Sequence, residues 1–116
     1  MALHTSLPIY KEAYDLLGHA IELARNLPRD LKKLIGDRFI DGCLKISDLI
    51  RQANIARNKS EILGELLAHL DELQLLLRCS RDRRYISTGQ YAKAIEYTTS
   101  IGRQASGWRK RFTPAT

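Results

Sequence analysis

EILGELLAHLDELQLLL, residues 61–77, decides the fold. Its apolar positions Ile62, Leu63, Leu66, Leu67, Leu70, Leu73, Leu76 and Leu77 recur at spacings of three and four, the period of one helical face and not of a strand. Asn58 at an N-cap position, with Glu61 three residues on, has the form of a reciprocal cap that starts this helix. The helix runs into Arg78-Cys79-Ser80-Arg81-Asp82-Arg83-Arg84, where cations meet the negative end of its dipole.

The same period extends in both directions from this stretch. Upstream, Pro8 opens a helix whose stripe is Ile9, Ala13, Leu16, Leu17, Ala20, Ala24 and Leu27. Pro28 disfavours continued helix in the residue before it, so a second helix starts at Pro28 or Arg29. The second stripe is Leu31, Leu34, Ile35, Phe39, Gly42, Cys43, Ile46, Leu49, Ile50 and Ala53. Downstream, Ser87-Thr88-Gly89-Gln90 is a capping box, followed by the stripe Tyr91, Ala94, Ile95, Thr98, Ile101, Ala105 and Trp108. Residues 113–116 are expected to form a disordered tail. The expected fold is an all-α, up-down-up-down antiparallel four-helix bundle in one domain, 1–116, with helices near 8–26, 29–56, 59–82 and 88–111.

Composition narrows the function. Nineteen Lys and Arg against thirteen Asp and Glu give a net charge of +6, and arginine, whose fork binds two phosphate oxygens at once, outnumbers lysine. No apolar run is long enough to span a membrane and no secretory signal is present, so the expected location is the cytoplasm. Cys43 and Cys79 read as small buried hydrophobes, with a disulfide formally open. His4, His19 and His69 are scattered, and no glutamate has a histidine three residues later, as a di-iron bundle requires. Glu65 and His69, four apart, read as a local surface pair. Phosphate loops, zinc-protease motifs and nucleophile elbows are absent from the sequence. The expectation is a binding protein with no catalytic residue, no metal and no cofactor.

The topology turns the charges into a map. Loops 1–2 and 3–4 fall at one end of an antiparallel bundle. They gather Arg25, Arg29, Lys32 and Lys33 with Arg78, Arg81, Arg83 and Arg84, opposed by Asp30, Asp37 and Asp82. The other end holds Arg57, Lys59, Arg109, Lys110 and Arg111. Either pole attracts phosphate and releases its counterions, and Tyr85 is placed to stack on an unpaired base or to cap the core. Small residues crowd the last helix, and Gly102, Ala105, Ser106 and Trp108 are the candidate contact between subunits.

The order of helices, the Pro28-Arg29 break and the segment Leu66-Leu67-Ala68-His69-Leu70 running into arginines carry a resemblance, as does Ile101-Gly102-Arg103-Gln104-Ala105-Ser106-Gly107-Trp108 before Arg109-Lys110-Arg111. Over about Ile9 to Phe112 the chain resembles the accessory variability determinant of diversity-generating retroelements. That superfamily includes proteins encoded in intervening sequences of bacterial 23S ribosomal RNA genes. The resemblance implies a ring-shaped homopentamer that binds a reverse transcriptase and template RNA or complementary DNA, supports mutagenic reverse transcription, and has no catalytic residues of its own. Two alternatives stand beside it: an RNA-binding relative without a polymerase partner, and a purely structural oligomer.

Overall fold

The computed structural model describes residues 3–112. A short 3-10 turn, His4–Ser6, precedes α1, Pro8–Arg25. Then α2 follows in three contiguous pieces: an α-turn Arg29–Leu31, a π-helical turn Lys32–Gly36, and a regular helix Asp37–Ile55. Next come α3, Lys59–Asp82, and α4, Thr88–Arg111. Three short connections make sequential neighbours antiparallel. Helix α1 packs on α2 and α4, α3 packs on the same two, and the backbones of the diagonal pairs stay apart, so the four form a closed square. The bundle is a rod of 47 × 27 × 21 Å.

The core runs down the centre of that square. Each helix contributes an inward arc: Ile9, Ala13, Leu16, Ala20 and Leu23 from α1, and Phe39, Cys43, Ile46, Leu49, Ile50 and Ala53 from α2. Leu63, Leu66, Leu70, Leu73 and Leu77 come from α3, and Ala94, Ile101 and Ala105 from α4. Two loop residues, Leu27 and Ile86, are also buried and cover the core at the pole where loops 1–2 and 3–4 lie. One polar pair crosses the interior: Gln74 donates from Nε2 to Thr98 Oγ1 at 3.0 Å, and Thr98 gives its own proton to the Ile95 carbonyl at 3.2 Å. Buried Thr98 thus keeps its hydrogen-bonding capacity satisfied.

Helix boundaries have identifiable causes. Asn26 ends α1, its side-chain amide donating to the Glu22 carbonyl at 3.1 Å. The capping box of α4 is formed: the Gln90 N–H donates to Ser87 Oγ at 3.0 Å, and the Ser87 N–H to Gln90 Oε1 at 2.8 Å. The expected cap at Asn58 is not formed. Its side chain donates instead to the Glu61 carboxylate at 3.4 Å, so neither side chain reaches a backbone N–H.

Other expectations are corrected. Leu34 is 62% exposed because the π-turn intervenes. A turn of i→i+5 bonds takes more residues than an α-turn, so Ile35 stays in line with Leu31 while Leu34 falls short of the core. Buried Gly36 lets α1 approach at this turn: a Cβ there would lie 3.0 Å from the Ala24 Cβ. Of the two cysteines only Cys43 is buried, and that burial pushes its thiol up to about 12. Cys79 is exposed, since Leu77 and Ser80 on either side of it take the inward arc. His69 lies near Glu72, at 3.7 Å, and not against Glu65. The tail expected at 113–116 lies outside the described residues.

Candidate nucleic-acid interface

At one end of the rod stand the end of α1, the start of α2, the end of α3 and the start of α4. A direct bond fixes this arrangement: His19 of α1 donates from Nε2 to the Gln90 carbonyl in the first turn of α4, at 2.9 Å. Arg25, Arg29, Lys32, Lys33, Arg78, Arg83 and Arg84 are all exposed there, and Arg81 is half-buried. The buried Leu27 and Ile86 close the core beneath them, so the charges stand on a sealed, rigid end.

The end of α3 sets how its arginines are presented. The Arg84 N–H donates to the Arg81 carbonyl at 2.9 Å and the Tyr85 N–H to the Ser80 carbonyl at 2.8 Å. This pair of bonds is a Schellman closure, which places the residue after the C-cap in the left-handed region. That residue is Arg84, with φ 62°. Glycine usually holds the position, because an L-residue there is strained by about 1–2 kcal/mol.

Arg81 is committed locally. Its Nη2 lies 2.8 Å from Asp82 Oδ1 and its guanidinium sits 4.4 Å from the centre of the Tyr91 ring. The bond to Asp82 also raises its pKa further. By contrast the side chains of Arg25, Arg29, Lys32, Lys33, Arg78, Arg83 and Arg84 make no hydrogen bond, ion pair or ring contact among the described residues. Tyr85 is half-buried against the core, which leaves only part of its ring to a ligand.

At the opposite pole much of the charge is used to hold the fold. Lys59 donates from Nζ to the carbonyls of Ala53 at 2.8 Å, Asn54 at 3.1 Å and Ala56 at 3.1 Å, the unpaired acceptors where α2 ends. It also lies 6.0 Å from the Trp108 ring centre and 5.5 Å from that of Phe112, which ties the end of α4 to loop 2–3. Arg109 donates from Nε to Ser60 Oγ at 3.3 Å, and its guanidinium covers Gly64, where a Cβ would lie 3.0 Å from Nη2. Arg57, Lys110 and Arg111 remain exposed at that end. The larger group of uncommitted cations is therefore at the loop 1–2 and 3–4 pole.

The small residues of α4 divide. Ala105 is fully buried in this chain's own core, so it is not available to a second subunit. Gly102 is half-buried, and a Cβ built on it would lie 3.8 Å from the Leu70 side chain. Trp108 packs partly on the core, and Ser106 is exposed.

Sequence reasoning missed Lys59 as a helix cap, the stacking of Arg81 on Tyr91, and the left-handed Arg84. The first two depend on contacts across a loop. The third had a signal, a helix that must close at Arg83-Arg84-Tyr85 with no glycine to do it. Among the described residues no group of three or more His, Cys, Asp and Glu side chains is placed to hold a metal ion, and no helix is long and apolar enough to cross a membrane.

No curated protein matches the chain. A family model described as bAvd-like matches residues 7–112, a span that takes in all four helices and both basic poles. The chain belongs to the bAvd-like family of accessory variability determinants.

Proposed function

We propose that this chain is a non-catalytic accessory subunit of a diversity-generating retroelement. It binds the element's reverse transcriptase and its template RNA or complementary DNA, supports mutagenic reverse transcription, and assembles with copies of itself, as a pentamer in the reading drawn from the family. The observation that carries the nucleic-acid part is the pole of uncommitted cations, Arg25, Arg29, Lys32, Lys33, Arg78, Arg83 and Arg84.

Phosphates meeting these side chains release condensed counterions, which supplies affinity without sequence readout. The cations project from helix ends sealed by Leu27 and Ile86. They are therefore held over a fixed platform, and binding orders only side chains. Arg81, locked to Asp82 and Tyr91, anchors the loop that carries Arg83 and Arg84. A chain with this surface serves a polymerase by holding template near it, and needs no reactive group to do so.

The test is a reconstituted reaction containing the element's reverse transcriptase and template RNA, with and without this chain. The proposal expects complementary DNA yield to depend on the chain, and an Arg78→Gln, Arg83→Gln, Arg84→Gln variant to support much less. Equal synthesis without the chain would remove the accessory role.

A further inference from the structure

The cations at the loop 1–2 and 3–4 pole form two rows and not one cluster. In the closed square α1 and α2 share one edge and α3 and α4 the opposite edge, so the two loops cross the end of the rod on opposite sides. From Glu22 to Arg38 the first edge carries five cations against three carboxylates. From Arg78 to Lys93 the second carries five against Asp82 alone, which Arg81 holds. Packed helix axes lie about 8–10 Å apart, so the end presents two positive rows about 10 Å apart. Buried Leu27 and Ile86 close the floor beneath them.

This end also lacks what an unpaired strand uses. Proteins that hold single strands stack successive bases on exposed aromatic rings. Among the described residues no aromatic ring is exposed at this pole: Tyr85 packs against the core, and Arg81 covers Tyr91 at 4.4 Å from the ring centre. The exposed rings of Tyr14 and Phe112 lie nearer the other pole. A duplex suits two rows of cations. It carries one negative charge per about 1.7 Å of its axis, twice the density of either strand. Its two phosphate rows face each other across grooves about 6 to 12 Å wide in the B form. In the A form the minor groove is wide and shallow, so a flat end reaches both of its borders.

We infer that this end of the bundle takes double-stranded nucleic acid, with one phosphate strand against each cationic edge. The inference rests on the nucleic-acid part of the proposed function and names the form the pole takes: template RNA folded on itself, or template paired with its complementary DNA. A single strand offers one row of phosphates and leaves part of the pole unmet. The bases stay paired and unread, in keeping with a surface that offers cations and no stacking face.

The test measures affinity of the full chain by fluorescence anisotropy for three probes: an RNA–DNA heteroduplex, the RNA duplex of the same sequence, and that RNA strand alone, chosen not to pair with itself. The wild type is expected to bind both duplexes about tenfold more tightly than the strand, with a steeper dependence on salt. The more tightly bound of the two duplexes identifies the source, folded template or reverse-transcription product. Two variants separate the edges: Arg29→Gln, Lys32→Gln, Lys33→Gln for the first, and Arg78→Gln, Arg83→Gln, Arg84→Gln for the second. All six side chains are exposed, and circular dichroism verifies that each variant folds. Either variant is expected to lose the preference and bind duplex and strand alike, since one row remains. A strand bound by the wild type as tightly as the duplexes, or a preference that survives the loss of either edge, would overturn the inference and leave phosphate binding at the pole standing. A wild type that binds none of the probes would overturn both.

Discussion

Arg84→Gly exchanges a strained arginine for the residue its backbone prefers, and its effects on stability and binding are expected to have opposite signs. Arg84 holds φ at 62° because the Schellman bonds from Arg84 to Arg81 and from Tyr85 to Ser80 require it. Removing the side chain relieves about 1–2 kcal/mol of left-handed strain. The greater freedom of glycine in the unfolded chain takes back about 0.5–1 kcal/mol. The net expectation is a gain of about 0.5–1 kcal/mol. For a domain of this size that is a rise in Tm of about 2–5 °C, read by circular dichroism. Arg84→Ala is the control, since alanine removes the same charge and keeps the strain. Both variants are expected to bind RNA equally weakly, each with one cation fewer to meet a phosphate, and only the glycine variant to melt later than wild type. A glycine variant no more stable than wild type, or an alanine variant equally stabilised, would refute the strain argument.

Three further outcomes are expected. Gly36→Ala places a Cβ 3.0 Å from the Ala24 Cβ and 3.4 Å from its Cα, so α1 must move; a loss of about 1–3 kcal/mol in urea unfolding is expected, and an unchanged midpoint would show that α1 yields freely. Lys59→Met leaves the carbonyls of Ala53, Asn54 and Ala56 without their donor; stability is expected to fall by about 1–3 kcal/mol and the fluorescence of the single tryptophan, Trp108, to shift. Cys43 is a pH-sensitive group: its thiol is pushed from 9.0 to about 12 in the folded chain, so between those values the unfolded chain has lost the proton that the folded chain keeps. Stability is therefore expected to fall as pH rises from about 9 to 12, and Cys43→Ala to flatten that fall relative to wild type in denaturant titrations.

Much of the fold was legible because helical periodicity and loop chemistry agree. The Ser87-Gln90 capping box, the break at Pro28 and the leucines of α3 each specify local structure without help from distant residues. The π-turn at Lys32–Gly36 was not legible, because it answers to the close approach of α1 at Ala24. Leu34 therefore fits the apolar stripe of the sequence and yet stands outside the core of the fold. Leu75 and Cys79 share the exposed side of α3, where a run of three leucines leaves one of them outside. The two basic poles followed from antiparallel topology. Which cations are spent was hidden, since Arg81 meets Tyr91 across a loop and Lys59 reaches back to the preceding helix.

RNA affinity of the full chain across a salt series, read by fluorescence anisotropy, tests the central claim most directly. The comparison is wild type against Arg78→Gln, Arg83→Gln, Arg84→Gln, with Arg81 left in place because Asp82 and Tyr91 already hold it. Wild-type affinity is expected to fall steeply with salt. The slope of log affinity against log salt should lessen by about 2 in the triple variant, because three phosphates of a single-stranded RNA are no longer neutralised, at about 0.7 each. A wild type that binds no RNA at low salt, or a triple variant with the same steep slope, would contradict the assignment of phosphate binding to this pole.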